Sequence, residues 1–236
     1  MAQPPLASVI IEAIVLVFVT FVVIMLYRKY AQRKKTAALT LAVAFTFWDL
    51  AIICLFVFRL LAYLFPTNPY GINFSNIGIN FGYTFSALSN VFIILFVAMV
   101  FSQAPLFRRT GILIPLIFGA FNGITNGLLI SALITNFIYP TYDILPTMYH
   151  LIFTFISFGT LIIFAIRPLR QSELKWEKAG FAFIILSGVF GILVYLSFAL
   201  DFLFGDSGLG IDPDGYTAFF YLAYVFGILM CSFAYL

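Results

Sequence analysis

The chain has 236 residues, of which 64% are hydrophobic and only 9% are charged. Because a water-soluble globule of this composition would leave a very large apolar surface in water, the composition excludes a soluble domain and indicates an all-α integral membrane protein. The formal net charge of +3 is explained by basic loops that set membrane orientation, so no nucleic-acid partner is predicted.

Apolar stretches of about 20 residues, the length needed to cross a bilayer, recur along the chain. The predicted spans are approximately 8–27, 36–65, 76–101, 111–135, 146–166, 180–204 and 216–236. These spans take up nearly all of the chain. The sequence therefore predicts a single domain, 1–236, that folds as a bundle of seven transmembrane helices.

Basic residues follow one side of the predicted bundle. Eleven of the 12 fall in loops between spans one and two, three and four, and five and six: Arg28, Lys29, Arg33, Lys34, Lys35, Arg108, Arg109, Arg167, Arg170, Lys175 and Lys178. The opposite loops carry Asp143, Asp206, Asp212 and Asp214. The positive-inside rule predicts that the basic side is cytoplasmic, with the N-terminus outside and the C-terminus inside. We predict a plasma-membrane location and contact between the basic loops and anionic lipid.

Two opposite charges fall in the outer halves of the first two spans. Glu12 lies about a turn and a half inside span one, and Arg59 is the only basic residue away from the cytoplasmic side. Since a charge within the bilayer needs a partner, we predict an ion pair between them. Two alternatives are that Glu12 reaches the outer headgroups and that Asp201 of span six pairs with Arg59.

A third charge, Asp49, lies deeper in span two and has no cation in its own segment. In a protonated form it would carry a proton or donate a hydrogen bond to a ligand. Hydrogen bonding to a neighbouring helix is the structural alternative.

Amide side chains form a polar ladder through spans three and four. Asn80 and Asn90 lie on span three, and Asn122 and Asn126 lie four residues apart on span four. Gly119, Gly123 and Gly127 also recur every fourth residue there, a spacing that predicts a groove for close helix packing. The asparagines are predicted to end the ladder at mid-depth.

Spans five and six add a histidine and a second small-residue face. His150, the only histidine, begins span five; one histidine does not make a metal site, so hydrogen bonding at the membrane interface is predicted, with pH sensing as an alternative. Ser187, Gly188 and Gly191 predict a packing face on span six.

A weak internal repeat is visible at two offsets. Residues 28–65 and 167–204 both run from a basic loop into a long apolar helix that ends in Leu-Phe, and Gly82-Tyr83-Thr84 matches Gly215-Tyr216-Thr217. This predicts a parallel 3+1+3 arrangement with span four as the connector. The arrangement resembles the SWEET transporters, which are built from parallel repeats. That resemblance implies transport of a small solute through a mid-membrane site.

A second resemblance concerns the first two spans. Arg33-Lys34-Lys35-Thr36-Ala37-Ala38-Leu39, leading into Phe47-Trp48-Asp49, resembles the seven-helix sensory input modules of prokaryotic histidine kinases. That resemblance implies a receptor-like sensor. Microbial rhodopsins share the helix count but attach retinal through a lysine in the seventh helix, and residues 216–236 contain no lysine. No retinal or other cofactor is therefore predicted.

The sequence offers no constellation of catalytic residues, so we predict that the chain is not an enzyme. The predicted ligand-binding residues are the polar ones of the middle and outer bilayer: Glu12, Asp49, Arg59, Asn80, Asn90, Asn122, Asn126 and His150. They favour a receptor-like sensor that binds a small polar ligand in an outward-facing pocket and signals to a cytoplasmic or membrane partner. The alternatives are a SWEET-like transporter and a structural subunit whose polar residues only join helices.

Overall fold

The computed structural model describes residues 4–66, 74–111, 113–138, 144–205 and 216–236. These residues form eight helices: α1 (Leu6–Arg33), α2 (Thr36–Leu64), α3 (Phe74–Val100), α4 (Pro105–Thr110), α5 (Leu113–Ile138), α6 (Ile144–Gln171), α7 (Lys175–Gly205) and α8 (Ala218–Tyr235). The described ranges contain no strand. The prediction of an all-α chain is confirmed.

Six helices of the described part, α1, α2, α3, α6, α7 and α8, are long and apolar enough to cross a membrane. They support the prediction of an integral membrane protein. Within α5 the apolar stretch Leu113–Leu128 is shorter than a full span, so the seventh span stays a prediction. The parallel repeat and the membrane orientation also remain predictions.

The helices extend past the predicted apolar spans into the charged loops. Helix α1 continues beyond residue 27 to Arg33, α6 continues beyond residue 166 to Gln171, and α7 begins at Lys175 rather than at residue 180. The apolar stretch marks the hydrocarbon core, whereas a helical backbone can continue into the interface with its charged side chains in water. The short helix α4 was not predicted.

Long helices that follow one another along the chain pack against each other. Helix α1 packs against both α2 and α8, so the ring α1-α2-α3-α6-α7-α8 closes on itself, while α5 packs against α3 and α6. Residues 28–35, 108–109 and 167–178 share one end of the bundle, which we name the basic end. The acidic loop residues Asp143, Asp206, Asp212 and Asp214 lie outside the described residues.

Glycine packing differs between α5 and α7. A Cβ built on Gly123 or Gly127 would meet nothing within 4 Å, and one on Gly119 would lie 3.7 Å from Val91. Within the described bundle, the predicted packing groove on α5 is therefore in contact with a neighbouring helix only at Gly119, which faces α3, and not at Gly123 or Gly127. On α7, in contrast, a Cβ on Gly191 would lie 2.5 Å from the Phe158 ring, which confirms the predicted packing face.

Replacing Gly191 by alanine should overpack the α6–α7 contact, because the buried Phe158 ring has little room to move. We expect a loss of about 1–3 kcal/mol in the free energy of unfolding, measured by SDS titration of the detergent-solubilised protein. Gly123→Ala is the matched control and should leave stability unchanged or raise it, since the added methyl meets no neighbour and alanine favours a helix. Equal losses in the two variants would contradict this account.

Candidate functional site

A cavity of about 340 Å³ lies among α2, α3, α6, α7 and α8, a volume within the range of small-molecule sites. Most of its lining is aliphatic or aromatic. The lining side chains are Trp48, Ala51, Ile52, Leu55, Arg59, Ile79, Gly82, Tyr83, Ser86, His150, Leu151, Val194, Tyr195, Phe198, Ala199, Asp201, Leu203, Tyr216, Phe220, Ala223 and Tyr224. Most of them lie in the half of their helix away from the basic end, and Trp48 lies near the middle of α2.

The floor of the cavity is closed by tight packing around Trp48. A Cβ on Gly227 of α8 would lie 2.8 Å from the Trp48 indole, so only a glycine allows this approach. Below it, Phe45, Val97 and Met230 belong to the buried apolar core. In the described structure these apolar side chains separate the deep end of the cavity at Trp48 from the basic end.

Hydrogen bonds connect three polar side chains of the cavity wall near its floor. Trp48 Nε1 donates a hydrogen bond to the Tyr195 hydroxyl at 3.3 Å. The same hydroxyl is hydrogen-bonded to Ser86 Oγ. These bonds join α2, α3 and α7 around the deep end of the cavity and fix the orientation of the Trp48 indole.

His150 is a polar residue of the wall that has no hydrogen-bond partner within the described residues. Its side chain is 2% exposed, and both Nδ1 and Nε2 are unpaired there. The imidazole is held by ring contacts instead, since its centroid lies 4.8 Å from that of Tyr83 and 5.4 Å from that of Tyr195. Buried polar atoms are normally satisfied, so this imidazole has hydrogen-bonding capacity to offer a molecule in the cavity.

The charged residues of the first two helices form a buried ion pair, as predicted. Arg59 Nε lies 2.7 Å from Glu12 Oε1, and both side chains are almost fully buried. The Tyr224 hydroxyl donates to the same carboxylate oxygen at 2.5 Å, and Arg59 donates to the Tyr216 hydroxyl. Asp201, the alternative partner, instead accepts hydrogen bonds from Thr217 N and Oγ1.

Three further predicted residues form hydrogen bonds, either between two helices or within a single helix. Asp49 accepts hydrogen bonds on both carboxyl oxygens from Thr20 Oγ1 of α1 at 3.1 Å, which is the structural role considered for it. Asn90 Nδ2 donates to Thr154 Oγ1 of α6 at 2.8 Å. Asn80 Nδ2 donates to a carbonyl of its own helix. None of these three side chains lines the cavity.

The two α5 amides also bond locally. Asn122 Nδ2 donates to the Phe118 carbonyl and Asn126 Nδ2 to the Asn122 carbonyl, each one turn back along the helix. Their Oδ1 atoms are buried and have no hydrogen-bond partner in the part of the chain that the structure describes. Neither residue lines the cavity, so the structure does not place them at the end of a continuous polar ladder.

Of the eight predicted site residues, only Arg59 and His150 line the cavity. Asp201, predicted only as an alternative partner of Arg59, also lines the cavity, together with aromatic residues that the sequence did not single out. One signal was present: Tyr216, Phe220 and Tyr224 recur every fourth residue, a spacing that places three rings on one face of a helix.

Removing one member of the Glu12–Arg59 pair should be costly, because it leaves the other charge buried and unpaired. We expect Arg59→Met to lower the free energy of unfolding by about 3–5 kcal/mol. The double variant Glu12→Gln, Arg59→Met should recover much of that loss, since no uncompensated charge remains. SDS titration of the detergent-solubilised variants measures both values. A double variant no more stable than Arg59→Met would contradict the coupling.

Comparison of the chain with protein-family models, with curated proteins and with solved structures finds no match. The resemblances to SWEET transporters and to sensory input modules remain predictions from the sequence. The functional assignment therefore depends on the chemistry and shape of the cavity.

Proposed function

We propose that the chain is a receptor-like membrane sensor that binds a small molecule in the cavity and signals to a partner at the basic end. The observation that carries the proposal is a cavity closed on one side whose wall holds a buried imidazole without a partner. With the basic end in the cytoplasm, as the positive-inside rule predicts, the cavity faces outward. The proposal includes α5 as a seventh span.

The side chains that line the cavity define the expected chemical class of the ligand more narrowly than the sequence did. A small polar ligand was predicted, but most side chains around the cavity are apolar or aromatic, and the polar groups are few. Such sites bind molecules with an apolar body and place a small number of hydrogen bonds to orient them. We infer a mainly apolar ligand with at least one hydroxyl or carbonyl group that bonds His150.

The closed floor favours a sensor over a transporter. A transporter has to expose its site alternately to both sides, which here requires parting the contact between Trp48 and Gly227 and the apolar core beneath it. A sensor needs only a shift between two packings of the same helices. The SWEET-like transporter is the second candidate, kept because of the predicted repeat.

The contacts of Trp48 suggest how ligand binding in the cavity would change the structure at the basic end. The indole lines the cavity, bonds Tyr195 of α7 and packs directly on Gly227 of α8. The far end of α8 is joined to α1 by a hydrogen bond from Lys29 to the Tyr235 carbonyl. A ligand that tilts Trp48 would therefore move α8, whose last turn lies beside the basic residues of α1.

The first test uses His150→Phe, which keeps a ring against Tyr83 but removes both nitrogens. With 2-phenylethanol as the probe, we expect affinity to fall by about tenfold or more, the effect of one lost buried hydrogen bond. Stability should be unchanged or higher, because an unsatisfied imidazole is removed. Trp48 fluorescence in a Trp176→Phe background reports binding, since these are the two tryptophans of the chain.

Two control variants separate the cavity from general packing effects. Ala199→Phe places a ring in the cavity and should abolish the fluorescence response, whereas Leu196→Phe on the exposed face of α7 should leave it intact. No response of the Trp176→Phe protein to 2-phenylethanol, or a response that Ala199→Phe does not change, would overturn the proposal.

Transport is tested directly in liposomes that contain the purified protein. Because the floor is closed, we expect uptake of sugars and amino acids to equal that of protein-free liposomes. Uptake above that level that Ala199→Phe abolishes would favour the transporter and refute the sensor.

A further inference from the structure

The cavity wall contains one carboxylate that forms no ion pair with a lysine or arginine side chain within the described residues. Every lysine and arginine lies within the described residues, and all except Arg59 are at the basic end. Arg59 forms its ion pair with Glu12. Asp201 lines the same cavity. Among the described residues, it forms no ion pair with any lysine or with Arg59.

The local structure holds this carboxylate in place through Thr217, at the start of α8. Thr217 N donates to Asp201 Oδ1 at 2.8 Å, and Thr217 Oγ1 donates to the same oxygen at 2.7 Å. Both bonds use Oδ1, so Oδ2 takes part in neither. Asp201 follows Phe198 by three residues, which places the carboxylate and the ring on one face of α7.

Aromatic rings surround the cavity next to Asp201. The centroid of Phe198 lies 6.2 Å from that of Phe220 and 5.6 Å from that of Tyr224. Tyr195, one turn along α7 from Phe198, also lines the cavity. Ring faces attract organic cations, most strongly where water is excluded.

We propose that the cavity binds an amphipathic organic cation, with its ammonium group at Asp201 and its apolar body among these rings. The inference rests on the proposed ligand site and specifies the charge of its ligand. Three charged groups are involved: Glu12 and Arg59 cancel each other at 2.7 Å, and Asp201 leaves one negative charge. A monovalent cation brings the site to neutrality, whereas an anion adds a second negative charge in a medium of low dielectric constant.

Three probes of similar shape and different charge test the inference: 2-phenylethylamine, 2-phenylethanol and 3-phenylpropanoate. Each is titrated at pH 7 into the Trp176→Phe protein in detergent, with Trp48 fluorescence as the readout. The amine should bind about tenfold or more tighter than the alcohol, as expected for a hydrogen bond to a charged group. The carboxylate should bind most weakly.

Asp201→Asn removes the charge but keeps an oxygen that can accept from Thr217. In this variant the preference for the amine over the alcohol should disappear, while affinity for the alcohol stays within about twofold of the parent value. Glu177→Gln at the basic end is the matched control and should retain the preference. Equal affinities for amine and alcohol in the parent protein, or a preference that survives Asp201→Asn, would overturn the cation assignment and leave the ligand site standing. Failure of all three probes to bind would overturn the site itself.

Discussion

The arrangement of the bundle depends on the buried ion pair between Glu12 and Arg59. A charge at the centre of a bilayer costs about 2.5–3.5 kcal/mol on the insertion scale, and a buried charge in the outer half, where both side chains are predicted, also needs a partner. Pairing at 2.7 Å joins α1 to α2, and the bonds to Tyr216 and Tyr224 extend the same network to α8. The first, second and last helices are therefore held together at one depth. This contact closes the ring of helices.

The cavity lies beside this network. Arg59, Tyr216 and Tyr224 form part of its wall. Small side chains such as Ala51 and Ala199 also line the space between the helices and leave it unfilled. Apolar walls have no tendency to draw in water. The unpartnered imidazole of His150 is consequently the exception in its surroundings, and a bound molecule with a hydroxyl or carbonyl group would satisfy it.

The helices and the ion pair were predictable because strong physical constraints act on few residues. Long apolar stretches must be helical in lipid, and a single arginine far from the basic end leaves few possible partners. The asparagines were less predictable, since an amide can satisfy its donors within its own helix, as Asn122 does with the Phe118 carbonyl. The glycine spacing on α5 predicted that the three glycines share one face of the helix, but it did not predict which way that face points in the bundle. The aromatic walls were hidden among 31 phenylalanines and 13 tyrosines, because lipid-facing and cavity-facing rings have the same helical period.

The contact between Trp48 and Gly227 bears on whether the cavity would serve a sensor or a transporter. An indole packed against a glycine backbone has little freedom to move unless α8 moves with it, and the bond to Tyr195 restrains its other edge. A ligand that fills the cavity without touching Trp48 would stabilise the bundle but change nothing at the basic end, because it would bind both packings equally. A ligand that displaces the indole would favour a different position of α8. Under the proposed function, the same residue thus closes the floor of the cavity and links a bound ligand to α8.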